Sequence, residues 1–128
     1  MDERPQTVGG YVYTLSCTCH PGDGVRYVGK TTTSLNTRFR GHRRDALRLD
    51  EHRKPVHRWM REHGIENIEI TLLEAVPEKA MLSAREIRWT AVYRGQGQNL
   101  LNANNFWTVG NDGVWHRTSR IDGSAVNE

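Results

Sequence analysis

Three stretches of this 128-residue chain bring together residue types that do chemistry. The first, GVRYVGKT over residues 24–31, has the spacing G-x-x-x-x-G-K-[ST] of a loop that cradles nucleoside triphosphates. Such a loop must run straight into a helix, so that its backbone N–H groups point at the phosphates. Val25, Arg26, Tyr27 and Val28 lie between the glycines and favour a strand instead. Three threonines then precede Ser34, a good helix cap. No apolar strand ending in Asp is present to organise Mg²⁺ for such a site. A nucleotide cofactor is therefore not expected. The second stretch, CTCH, offers Cys17, Cys19 and His20 as metal ligands. A zinc site needs about four ligands at recognisable spacing, and no second cysteine pair exists. The cysteines are read as small apolar residues ending a strand. The third set is dispersed: Tyr11-Val12-Tyr13, Tyr27-Val28-Gly29 with Lys30, Arg38 and His42 in TRFRGH, Glu86 in AREIRW, and Asn102 in LLNANN. Phenols, a guanidinium, an imidazole and a carboxylate can move protons and bind phosphate or metal.

These residues need elements to position them. YVYTLSC, 11–17, is rich in β-branched and aromatic residues and reads as a strand. HPGDG, 20–24, is a turn, and VRYVGK, 25–30, is a second strand, so the two form a hairpin that can bring two tyrosines onto one face. After Ser34, apolar positions recur at helical spacing from Leu35 to Leu49, which puts Arg38 and His42 on one face. Pro55 opens a second helix whose stripe is Val56, Trp59, Met60 and His63, with Gly64 at its end. NIEITLLEA, 67–75, alternates, with Ile68, Ile70 and Leu72 on one face and Glu69 and Thr71 on the other. Pro77 then opens a long helix to about Tyr93. FWTVGNDGVWHR, 106–117, looks like an added hairpin around Asn-Asp-Gly. The expected fold is α/β of the α+β kind. It is a small three-stranded sheet, at least partly antiparallel, flanked by helices and followed by a C-terminal hairpin extension.

The length suits one domain. No apolar run is long enough to span a bilayer, and the opening MDERPQTVGG does not read as a secretory signal. A cytoplasmic protein without a membrane partner is expected. The formal charge is only +3 but is uneven: residues 35–63 hold nine basic and four acidic side chains, with four histidines. Such a face suits a polyanion such as nucleic acid, and a solvated charged face is the plainer alternative.

In order and spacing, Tyr-Val-Tyr, Tyr-Val-Gly, Arg38, His42, Glu86 and Asn102 resemble the motifs of the GIY-YIG nuclease family. The resemblance covers about residues 9–104, leaving 105–128 as an extension. The first motif lacks its Gly-Ile, although Gly10 precedes it, and Val28 replaces Ile. Neither change touches a reactive group.

The resemblance implies hydrolysis of a phosphodiester with one divalent cation, Mg²⁺ first and Mn²⁺ as the alternative. Glu86 would hold the metal; a structural ion pair with Arg85 or Arg88 is the other reading. Tyr27 would be the general base, its phenol acidified by Lys30 or the metal, while Tyr13 would position water or phosphate, or take the base role itself. Arg38 would stabilise charge on the phosphate with a planar fork that lysine lacks. His42 would touch the phosphate or simply pack. Asn102 would orient the phosphate or pin the closing loop. His52 and His57 are weaker candidates.

Arg40, Arg43, Arg44, Lys54 and Arg58 would follow the nucleic-acid backbone without reading sequence. Phe106, Trp107 and Trp115, with His116 and Arg117, would stack on nucleic acid or extend the core. No separate sequence-reading domain is expected. The implied function is a metal-dependent DNA endonuclease acting on double-stranded or branched DNA. The alternative is a catalytically weak nucleic-acid-binding module with the same fold. The sequence leaves the oligomeric state open.

Overall fold

The computed structural model describes residues 8–48, 54–102, 107–109 and 114–117. Strand β1 (Gly10–Cys17) is central in a three-stranded sheet of order β2-β1-β3, flanked by β2 (Val25–Thr31) and β3 (Ile68–Val76). Both pairings are antiparallel. Helices α1 (Leu35–Leu47) and α2 (Pro55–His63) cover one face, and α3 (Leu82–Gly95) covers the other.

A central strand covered on both sides must be apolar in both phases of its pleat. Tyr13, Leu15 and Cys17 enter one cluster with Ala46, Val56, Trp59 and Met60. Val12 enters the other with Val28, Val76 and Leu82, against which Trp89 and Tyr93 pack. The stretch GVRYVGKT is therefore mostly strand β2, and α1 starts only at Leu35. It lacks the loop-into-helix geometry of a phosphate cradle.

Ser34 caps α1, its hydroxyl accepting from Thr37 N at 3.1 Å. Arg61 ties α2 to α1 by donating its Nε to Ala46 O at 2.8 Å and a terminal nitrogen to Arg48 O. In β3, Ile68, Ile70 and Leu72 share one face as expected, opposite Cys17, Leu15 and Tyr13, and a register shift follows Leu72, so that Glu74 stands opposite Val12. Leu72 is 47% exposed on that face, and Leu73 packs on the α3 side. One expectation needs correction: Pro77 does not open the long helix, because a short 3₁₀ turn at Lys79–Met81 intervenes before α3.

The expected C-terminal hairpin is present as β4 (Trp107–Val109) paired antiparallel with β5 (Trp115–Arg117), and β4 lies along α3. Its Asn-Asp-Gly tip, and the stacking role suggested for Phe106, Trp107, Trp115, His116 and Arg117, concern residues or side chains outside those described. So does His52. No described helix is long and apolar enough to cross a membrane.

Candidate active site

The hairpin register sets Tyr13 opposite Gly29 and Leu15 opposite Tyr27. Both tyrosines therefore point to the α1–α2 face. The Tyr13 ring lies across Gly29: a Cβ there would come within 2.4 Å of Tyr13 Cζ and Oη. The glycine of Tyr-Val-Gly is thus required by the tyrosine on the neighbouring strand.

Tyr13 is fully buried. Arg38 Nε donates to its hydroxyl at 3.2 Å, and His42 Nε2 lies 2.7 Å from the same oxygen. A guanidinium can only donate, so the phenol's own hydrogen is left for His42. His42 Nε2 then accepts, and its Nδ1–H faces His57 Nε2 at 3.1 Å. The result is a directed chain from Arg38 through Tyr13 and His42 to His57. Burial, reinforced by the Arg38, His57 and Lys54 charges, lowers the His42 pKa from 6.5 to about 3. Burial raises the Tyr13 phenol well above its ordinary value, against the acidifying Arg38 charge. His57, a weak candidate from sequence, is a buried member of this chain, and burial lowers its pKa too.

Tyr27 differs. It is half-buried and meets His42 edge-on, with ring centroids 5.7 Å apart. Its hydroxyl makes no hydrogen bond to a described residue. Burial raises its pKa, Glu86 raises it further, and Arg38 lowers it. Lys30 is not the charge that acidifies it. Three residues along a strand reverse the face, and Lys30 instead forms an ion pair with Glu86 on α3 at 3.6 Å.

Glu86 is thus not paired with Arg85, which makes a bidentate contact with Glu74, Nη2 donating to Oε2 at 2.6 Å and Nε to Oε1 at 3.2 Å. Glu74 also accepts from Trp89 Nε1 at 3.0 Å. This staple between β3 and α3 was missed in the sequence, and it leaves Glu86 available. The Glu86 side chain is 22% exposed. Burial raises its pKa, and Lys30 opposes this. A partly desolvated carboxylate held by one loose ammonium suits a hard cation that keeps most of its waters. Glu86 therefore fits the metal that the motif implies.

Asn102 grips the edge strand. Its Oδ1 accepts from Val28 N at 3.0 Å, and its Nδ2 donates to Val28 O at 2.7 Å. Leu101 N donates to Arg26 O, and Val25 N donates to Gln98 Oε1. Residues 98–102 thereby occupy the free edge of β2 on either side of Tyr27, so the amide pins the closing loop.

Between α1, the end of β2 and the start of α3 lies a cleft of about 440 Å³. Lys30, Arg38 and Arg44 line it together with Thr31 to Thr33, Thr37 and Leu82. Arg40, Arg43, Lys54 and Arg58 are exposed, with Arg43 stacked on Phe39. The Lys54 charge reaches both buried histidines. The structure also brings His63, at the end of α2, to Cys17 and His20. Cys17 ends β1 and is buried as expected, whereas Cys19 is exposed beyond the strand.

The structure is thus a small α+β domain: a three-stranded antiparallel sheet carrying two tyrosines beside an arginine, with a carboxylate on the helix that covers its other face. The sequence model of the GIY-YIG catalytic domain matches residues 9–99, and the chain belongs to that family. Its members are usually nucleases. The chain is also similar to the putative MSV199 domain-containing protein 146R of Invertebrate iridescent virus 6. The two are 37% identical over 70 residues, a match covering 52% of this chain and 25% of the viral protein. No solved structure matches significantly.

Proposed function

We propose that the chain is a metal-dependent endonuclease that hydrolyses DNA phosphodiester bonds. One divalent cation, Mg²⁺ before Mn²⁺, sits on Glu86, and Tyr27 is the general base. The reading is carried by the contrast between the two tyrosines. Tyr13 is enclosed by Arg38 and His42, whereas the Tyr27 hydroxyl, on the same face, has no described hydrogen-bond partner, so that once its proton is released to solvent the phenolate can take a proton from the attacking water. Tyr13 is then a positioning residue that orients Arg38. The Arg38 terminal nitrogens make no hydrogen bond to a described residue, which leaves them for phosphate oxygens.

A bound cation supplies charge neutralisation and polarisation of the phosphate. Burial is the larger cause that makes Tyr27 a weaker acid and the Glu86 charge adds to it; a cation on Glu86 would offset that second contribution. His42, neutral at working pH, keeps the Tyr13 hydroxyl oriented rather than acting as an acid. Asn102 holds the backbone beside Tyr27. Arg44 in the cleft, with exposed Arg40, Arg43, Lys54 and Arg58, supports a duplex or branched DNA backbone as the substrate.

The test is conversion of supercoiled plasmid with Mg²⁺, with and without EDTA, by the wild type and Glu86→Ala. Cutting by the wild type with metal alone is expected. A Glu86→Ala protein that cuts as fast as the wild type removes the metal assignment. A folded wild type that binds plasmid and branched DNA but never cuts leaves the binding-module alternative.

A further inference from the structure

We infer that Cys17, His20 and His63 form a second metal site, for zinc, distinct from Glu86. Each residue offers one ligand atom, and the three atoms lie within 4.8 Å of one another. They come from the end of β1, the turn after it and the last turn of α2. In a tetrahedral zinc site, Zn–S of about 2.3 Å and Zn–N of about 2.05 Å put sulfur and nitrogen about 3.6 Å apart. Cys17 Sγ and His20 Nδ1 stand 3.6 Å apart. His63 needs only a small inward movement, since its ring already contacts that of His20 with centroids 4.5 Å apart. Its Nδ1 is enclosed and has no hydrogen-bond partner among the described residues.

The surroundings hold the three ligands together. Asn67 Nδ2 donates to His63 O at 2.9 Å, and Thr18 N donates to Asn67 O at 2.7 Å. The C-terminal end of α2 and the end of β1 are therefore stitched together without the metal. A helix C-terminus carries partial negative charge, which favours a cation beside His63. One thiolate with two imidazoles is a borderline-soft set that selects zinc over Mg²⁺. On binding, the Cys17 thiol releases its proton to solvent. The fourth position falls to water or to exposed Cys19, two residues along the chain.

Cys17 lies on the same face of β1 as Tyr13, about 14 Å along the strand. Zinc at this point ties β1 to α2, the helix that carries His57, and steadies the tyrosine site without entering it.

The test uses the untagged full-length chain, prepared metal-free and titrated with Co²⁺ and then Zn²⁺. One equivalent of Co²⁺ should give thiolate-to-metal charge-transfer absorption in the near ultraviolet, and one equivalent of Zn²⁺ should displace it. Glu86→Gln should keep the band, which separates this site from the proposed Mg²⁺ site. His20→Gln, at an exposed position, should keep the fold by circular dichroism and weaken binding more than about tenfold. Cys17→Ser should abolish the band. Loss of visible tetrahedral intensity in Cys19→Ser would assign the fourth ligand to Cys19, and its retention would assign water. The inference is overturned if the wild type shows no thiolate band, or if folded His20→Gln binds as tightly as the wild type.

Discussion

Acidification should destabilise this protein through one buried imidazole. His42 titrates near 3 in the folded state against 6.5 in the unfolded chain. Between those values the unfolded state binds a proton that the folded state refuses. Stability therefore falls as pH drops below 6.5 and is fully expressed above it. At pH 5 the difference is about 1.5 pH units at about 1.36 kcal/mol each, or about 2 kcal/mol. His57 is shifted in the same direction and adds to the loss. Arg38, His57 and Lys54 disfavour protonation of His42, and the opposing carboxylate, Asp45, acts on His57. Urea unfolding followed by tryptophan fluorescence at pH 8, 7, 6 and 5 measures the slope. His42→Gln removes the titrating ring. The wild type should lose about 2 kcal/mol more than the variant between pH 8 and pH 5. Parallel slopes would refute the reasoning: His42 would then be titrating as if in solvent, and the directed chain through Tyr13 would not be held.

The two tyrosines should separate stability from activity. Tyr27→Phe should unfold at nearly the wild-type urea midpoint yet lose plasmid cleavage by about a hundredfold or more. Tyr13→Phe leaves Arg38 Nε and His42 Nε2 without their partner and should cost about 1–3 kcal/mol in the same melts. Equal stability losses in the two variants would contradict the assignment. Gly29→Ala drives a methyl into the Tyr13 ring and should destabilise by about 1–3 kcal/mol, and the same substitution should cost less in a Tyr13→Ala background. Asn102→Ala exposes or strands both backbone groups of Val28 and should cost about 1–3 kcal/mol, with faster amide exchange at Val28 by NMR.

Much of the scaffold was legible because local signals agreed with it. Ser34 is both the last polar residue before an apolar period and the observed cap. The alternation of the first two strands fixes which tyrosines share a face, and antiparallel pairing does the rest. What was not legible depends on long-range register. Arg85, Arg88 and Lys30 are equally cationic in sequence, and only the packing of α3 on the sheet hands Glu74 to Arg85 and Glu86 to Lys30. The bulge in β3 after Leu72 follows from no residue type, and it sets Glu74 opposite Val12, where it meets Arg85 of α3. His57 and His63 lie on an apolar helix stripe, where a histidine reads as a filler. Their partners arrive from α1 in one case and from the end of β1 in the other.

On the proposed function, the arrangement of layers says where a substrate would enter. Tyr27 and Arg38 lie on the α1–α2 face of the sheet, and Glu86 and Lys30 lie on the α3 face. A phosphate can reach both only across an edge, because helices cover both faces. The β3 edge is far from these groups, on the other side of β1. The β2 edge is occupied from Val25 to Val28 by residues 98–102, whose backbone and amides take up its hydrogen-bonding groups. That cover ends where Gly29, Lys30 and Thr31 begin. Here the strand has no side chain at Gly29, the cleft opens beside Lys30 and Thr31, and Arg38 and Arg44 approach from α1. On the proposed function, the Tyr-Val-Gly-Lys motif would serve as the doorway as well as a source of catalytic groups: its valine is clamped, its glycine admits Tyr13, and its lysine meets the carboxylate. A bulky residue in place of Thr31 or Thr33 should raise KM for DNA before it changes kcat, because it narrows the passage without touching a reacting atom.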